Sequence, residues 1–240
     1  MAESPPRLAV LIDADNTSPK VADGLFDEVA KIGEASLRRI YGDFSKGQQA
    51  GWERVLPRHA IQPTQQFAYT VGKNSTDITL VIDAMDLLLT GRFDGFCLVS
   101  SDSDFTKLAT RIREQGVDVY GIGQQKTPEA FRQACTRFIF TENFVPEERG
   151  QPAAARSSPL RPLGEATALI GKALEQMDDD AEGWYRLGAV GQRLQNLSPE
   201  FDTRTFGHPK LSDLVLAIDK YEIDRSNGFR MRPRQGGDRR

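Results

Sequence analysis

Histidine, cysteine and long apolar runs are scarce in this chain of 240 residues, and each scarcity removes a class of chemistry. The two histidines, His59 and His208, stand alone and give no support to imidazole catalysis. Two unclustered cysteines, Cys97 in a predicted buried strand and Cys135 in a predicted helix, supply neither a disulfide framework nor a zinc pattern, which suits a reducing compartment. No apolar run approaches the roughly 20 residues of a membrane span. The start, Met-Ala-Glu-Ser-Pro-Pro, is acidic and proline-rich rather than signal-like, so a cytoplasmic protein with no membrane association is expected. No internal repeat is visible.

What is present is acid. Residues 1–150 carry 17 Lys and Arg against 21 Asp and Glu, a net of −4, while residues 151–240 carry 14 against 13, a net of +1. The length fits one large domain, or one medium and one small. Six arginines, at 225, 230, 232, 234, 239 and 240, crowd the last stretch with one acid, Asp238, among them. Such an end suits phosphate backbones, or else a solubilising tail.

Leu8 to Asn16 organises the first part: five apolar residues in succession, then Asp13, Asp15 and Asn16. The run reads as a strand buried on both faces, as in a parallel sheet, with its ligand site at the carboxyl end. A second strand, Phe96 to Ser100, empties in the same way into Ser101-Asp102-Ser103-Asp104. Further strands are predicted at Leu37–Tyr41, Ala60–Phe67 and Val117–Ile122. Helices are predicted between them, after Ser18-Pro19, around Trp52–His59, over Asp77–Leu89 and from Phe105 to Ile112. Alternation of this kind implies βαβ crossovers, a mostly parallel sheet and an α/β class.

The helix opened by Gly72-Lys73-Asn74-Ser75-Thr76 carries Asp77 on the same face as Val81, Ala84 and Leu88, so this carboxylate points toward the sheet. Asp86 lies on the opposite side and is expected to be solvated; Asp83 lies between the two and suits a structural role. Asp13, Asp77, Asp102 and Asp104 can thus converge above one edge of the sheet. Carboxylates without histidine or cysteine favour a hard cation, Mg2+ or Mn2+, which activates water and steadies phosphoryl displacement. Asn16, Lys73, Ser101 and Ser103 are candidates for contact with substrate. Singly, Asp102 and Ser103 also read as helix caps and Asp15 as a turn residue.

Composition shifts near Pro146, and residues 147–163 read as a flexible linker. Beyond it, helices are predicted at Leu163–Met177, Trp184–Leu194 and Leu211–Ile218. A hairpin follows, with Tyr221-Glu222-Ile223 and Phe229-Arg230-Met231 flanking Asn227-Gly228. Three helices and a hairpin make a small winged-helix module.

Three stretches resemble the NYN domain, a branch of the PIN-like metal-dependent ribonucleases. They are Ile12-Asp13-Ala14-Asp15-Asn16, Lys73-Asn74-Ser75-Thr76-Asp77-Ile78 with Ile82-Asp83-Ala84, and Val99-Ser100-Ser101-Asp102-Ser103-Asp104-Phe105. The resemblance implies a sheet sandwiched by helices over residues 1–146 and Mg2+- or Mn2+-dependent RNA cleavage. It assigns Asp13, Asp77 and Asp102 as metal-site acids, with Asn16 and Asp104 assisting. Residues 164–232 resemble the LOTUS, or OST-HTH, domain through the tryptophan-bearing helix, Phe201-Asp202-Thr203-Arg204-Thr205-Phe206-Gly207 and Lys210-Leu211-Ser212-Asp213-Leu214. That resemblance implies an RNA-binding winged helix, able to meet a protein partner or a second copy, before an Arg/Gly-rich tail at 233–240. Trp184, Tyr185, Phe201 and Phe206 are expected in its core.

The leading expectation is therefore a ribonuclease, an endonuclease on single-stranded or structured RNA. Two others compete. Asp13-Ala14-Asp15-Asn16-Thr17 also matches the first motif of haloacid dehalogenase-like phosphohydrolases, where Asp13 would be a nucleophile, although Asp77 has no part in that scheme. A non-catalytic RNA-binding adaptor would keep the same acids.

Overall fold

A computed structural model describes residues 4–46, 49–66, 75–144, 160–180, 182–226 and 228–234, so Lys73, most of the linker and the end of the arginine-rich tail lie outside the described residues. The chain divides into two units, Met1–Arg149 and Gly150–Arg240.

In the first unit a six-stranded parallel sheet has the order β3-β2-β1-β4-β5-β6. Its strands are β1 (Arg7–Asp13), β2 (Glu34–Gly42), β3 (Gln62–Gln65), β4 (Gly95–Val99), β5 (Asp118–Gly123) and β6 (Arg137–Phe140). Helices α1 (Ala22–Ile32), α2 (Ala50–Glu53), α3 (Ser75–Leu89), α4 (Thr106–Glu114) and α5 (Glu129–Ala134) connect them. Both faces of β1 are covered: Leu8, Val10 and Ile12 pack with Leu25 and Val29 of α1, while Ala9 and Leu11 pack with Leu80 and Ala84 of α3 and Leu108 of α4. A strand with no wet face needs no polar alternation, hence the unbroken apolar run. The period of two puts Asp13 on the α3 face, after Ala9 and Leu11.

Some local expectations shift. The helix around Trp52 ends at Glu53, with turns to Ala60. Cys135 lies just past the end of α5 in extended backbone, still fully buried. On α3 the buried line is Thr76, Leu80 and Ala84, so the helix is turned slightly from the predicted face and Asp77 sits at its rim, half-buried. A carboxylate in the core itself would meet a large desolvation cost; the rim gives it access to water or a cation.

The second unit packs α6 (Leu163–Leu174), α7 (Leu187–Leu197) and α8 (Leu211–Ala217) around Ile170, Val190, Leu194, Leu214 and Met231. Its antiparallel sheet has the order β7-β9-β8, from β7 (Tyr185–Arg186), β8 (Tyr221–Asp224) and β9 (Arg230–Pro233). The helix predicted from Trp184 starts at Leu187, because Tyr185 and Arg186 pair with Met231 and Arg230 of β9. The predicted hairpin is formed by β8 and β9, with Asp224 opposite Arg230, and Asn227 lies outside the described residues. Phe201 and Phe206 are core residues as expected. Trp184 is not: it is half-buried, with the guanidinium of Arg232 at 4.3 Å and that of Arg230 at 5.3 Å from its ring.

Candidate active site

The strand order reverses between β1 and β4, and the crevice beyond the carboxyl ends of two such strands is where open α/β sheets bind ligands. Asp13 closes β1 there; Ser100, Ser101 and Asp102 follow β4. Thr17 ties the two ends, its hydroxyl donating to the Val99 carbonyl at 3.1 Å.

Asp13 is fully buried, and both its oxygens are occupied. Oδ1 accepts the backbone amides of Asp15 (3.0 Å) and Asn16 (3.3 Å); Oδ2 accepts Asn16 Nδ2 (2.9 Å) and Ser100 Oγ (2.6 Å). Four donors fill the lone-pair positions of a carboxylate. Burial still pushes the Asp13 pKa above its ordinary value against the pull of those donors. A carboxylate so enclosed offers no free oxygen for in-line attack on phosphorus, which removes the geometric basis for the dehalogenase-like scheme.

In front of it lie Asp77 from α3 and Asp102 and Asp104 from the turn after β4, with one carboxylate oxygen of each within 4.8 Å of the others. Asp13 is not a member of that group of three. Asp77 and Asp102 are half-buried and Asp104 is exposed. The turn Ser103–Phe105 is capped as its residues suggest, since the Asp102 side chain accepts the Asp104 amide at 2.9 Å. Its capping role therefore does not take Asp102 away from the cluster. Asp77 shows the electrostatic result: burial, then the charges of Asp13, Asp102, Asp15 and Asp104, push its pKa to about 6. A divalent cation held among these carboxylates would offset their mutual repulsion. The donors are all carboxylate oxygen, with no nitrogen or sulfur ligand, so the set fits a hard ion such as Mg2+ or Mn2+.

The other candidates divide. Asn16 is brought in, but toward Asp13. Ser101 Oγ accepts the Gln124 amide at 2.9 Å, joining the β4 and β5 ends. Ser103 is exposed on the turn beside Asp102. Asp15 is exposed and accepts from Gln49 Nε2 at 2.9 Å.

Sequence reasoning overlooked Ser100. Its hydroxyl donates to Asp13 and also accepts the Asp102 amide at 3.0 Å, so one buried side chain connects the two acid-bearing loops. The only local signal is a hydroxyl residue closing an otherwise apolar strand. Ser100→Ala is expected to lower unfolding stability by about 1–3 kcal/mol in urea titrations at pH 7. The loss should shrink as pH falls and Asp13, whose pKa is raised, takes up its proton; a loss independent of pH would assign the effect to packing alone.

In the second unit three of the four described arginines of the C-terminal stretch are held by acids rather than free for phosphate. Arg230 holds Asp180 (3.0 Å) and Asp224 (2.8 Å), Arg232 holds Glu222, and Arg234 holds Asp219 (2.8 Å).

No described helix is long and apolar enough to cross a membrane. None of the curated proteins matches this chain. Among solved structures, a Vibrio parahaemolyticus protein of unknown function is 18% identical, with a TM-score of 0.50, over 57% of this chain and 94% of that one, a likeness of fold. An uncharacterized Nitrosomonas europaea protein, solved in solution by NMR, is 33% identical over 39% of this chain and 93% of that one, with a TM-score of 0.28. The family model of the OST-HTH/LOTUS domain matches residues 163–233 and that of the NYN domain matches residues 7–142, more than half of the chain. A parallel sheet with its acids at the β1–β4 crevice, followed by a small helical unit with an antiparallel sheet, agrees with both, and the chain belongs to the NYN domain family with an OST-HTH/LOTUS domain after it.

Proposed function

We propose that the first domain is a Mg2+- or Mn2+-dependent ribonuclease that cuts RNA phosphodiesters internally, and that the OST-HTH/LOTUS domain holds the RNA. The observation that carries this reading is the group of three carboxylates, Asp77, Asp102 and Asp104, within 4.8 Å at the strand-order reversal of an NYN domain. These three would hold the cation. A bound ion there supplies an activated water and neutralises charge on the phosphate oxygens. Asp13 strengthens the negative field from behind, and Asn16 fixes its orientation. The Ser101 hydroxyl, whose oxygen accepts from Gln124, keeps its proton for a phosphate oxygen. Ser103 and Lys73 are the remaining groups proposed to touch the RNA backbone. Both described cysteines are free and buried, which is compatible with the reducing compartment, the cytoplasm, that this reading includes.

The test is cleavage of end-labelled single-stranded and hairpin RNAs by the purified chain in Mg2+, Mn2+ or EDTA, with Asp102→Asn as the control for contaminating nuclease. Internal products that need the metal and vanish in the variant are expected. Binding without cleavage under every divalent ion would leave the adaptor reading in its place.

A further inference from the structure

The loop joining β8 to β9 carries the most exposed aromatic ring of the second domain in an unfavourable backbone conformation. Phe229 is 47% exposed and has φ +52°, in the left-handed region that side chains with a β-carbon rarely adopt. Its backbone is held: the carbonyl accepts the Leu187 amide at 2.9 Å, extending the β7–β9 pairing by one position. Core packing does not account for the strain, because about half of the residue stays in water.

Its surroundings are cationic. Arg225 follows Asp224 of β8, which faces Arg230 of β9, so Arg225 and Phe229 flank that last pair at the same end of the sheet. Arg186 of β7 faces Arg230 from the other side. Both Arg186 and Arg225 are exposed, and among the described residues neither makes an ion pair or side-chain hydrogen bond, whereas Arg230, Arg232 and Arg234 are neutralised by acids. An exposed ring at an end of the sheet that also carries two unpaired arginines has the composition of a stacking platform for single-stranded nucleic acid.

We propose that Phe229, Arg186 and Arg225 form a binding site for single-stranded RNA, an unpaired base stacking on Phe229 and the adjoining phosphates meeting the two arginines. The proposal rests on the RNA reading above and adds to it where the second domain takes hold. Unpaired bases are favoured over duplex because only an unstacked base has a free face.

Phe229→Gly separates binding from folding, since glycine adopts positive φ without strain and should leave the fold at least as stable. Fluorescence anisotropy with labelled oligo(U) and a duplex of equal length, on the full chain in EDTA, is the measurement. Phe229→Gly should weaken oligo(U) binding about 5- to 100-fold, with Phe229→Tyr close to the wild type. Arg186→Gln and Arg225→Gln should each lower the slope of log K against log salt by about 0.7. Unchanged oligo(U) affinity in Phe229→Gly, duplex binding equal to oligo(U), or a variant that loses only a protein contact would each overturn the site. Failure here with metal-dependent cleavage intact leaves the nuclease reading standing; loss of binding in Phe229→Gly by a protein that never cleaves sustains the site and removes the nuclease.

Discussion

Replacing Asp77 with asparagine is expected to reduce metal-dependent RNA cleavage at least about 100-fold and, in the same molecule, to raise the stability of the metal-free protein. Both effects come from one arrangement. Asp77 faces Asp102 and Asp104 across 4.8 Å or less, with the charge of Asp13 behind, and its pKa stands at about 6. An unfolded aspartate titrates near 3.9. The folded state therefore holds the proton more tightly, and stability falls as pH rises from about 4 to about 6, the reverse of an ion-paired aspartate. The shift corresponds to roughly 3 kcal/mol at full value, and water at this half-buried rim reduces it to about 1 kcal/mol. Melting in EDTA at pH 7 should rise by a few degrees in Asp77→Asn and be nearly unchanged at pH 4. Added Mg2+ or Mn2+ should reverse the order, because only the wild type gains from binding. A variant that melts lower than the wild type in EDTA at pH 7 would contradict the electrostatic account, whatever happens to cleavage.

Much of this site is legible in the chain because the elements that carry it have extreme environments. β1 and β4 are covered on both faces, so their sequences are unbroken apolar runs whose ends are unmistakable. The turn of backbone amides onto Asp13 is local, within three residues, and aspartate at a strand end commonly forms it. Its fourth donor is not local: Ser100 lies 87 residues away, and only the β1–β4 pairing brings it close. Short elements escape for a related reason. Periodicity does not find β6, with four residues, and the helix expected at Cys135 stops at Ala134, since elements this short span too little of a period to fix their limits. At Trp184 the pattern misleads, because Trp184, Leu187, Val190 and Leu194 keep helical spacing while Tyr185 and Arg186 answer to a strand 45 residues on. In that same domain the arginine-rich end reads as basic from composition, and its acid partners are visible only in three dimensions.

Asp83 belongs to the same helix as Asp77 and to the same motif-like stretch, yet its removal should fail in the opposite way: the fold weakens while the acid cluster keeps its members. Arg39 and Tyr41 alternate along β2 so that both face α3, where Asp83 accepts from each. Arg39 Nη1 reaches the two oxygens of Asp83 at 2.5 and 2.6 Å, and the hydroxyl of the fully buried Tyr41 donates to Oδ2. Burial and this bond to a carboxylate push the Tyr41 pKa far above its ordinary value, so the phenol stays protonated and remains the donor. Asp83→Ala would leave a buried hydroxyl and a mostly enclosed guanidinium without their acceptor. That should cost about 2–4 kcal/mol, on the order of 10 °C in melting temperature for a domain of this size. Replacing the whole set, with Arg39→Met, Tyr41→Phe and Asp83→Leu together, removes the orphaned groups along with the acceptor and should recover most of the loss. Cleavage per folded molecule should change little in either variant, because Asp83 is not among the acids of the cluster. If the triple variant melts as low as Asp83→Ala, the network contributes attraction beyond satisfying its own buried groups; if Asp83→Ala keeps the wild-type melting temperature but loses cleavage, Asp83 acts at the metal site and its contact with β2 is incidental.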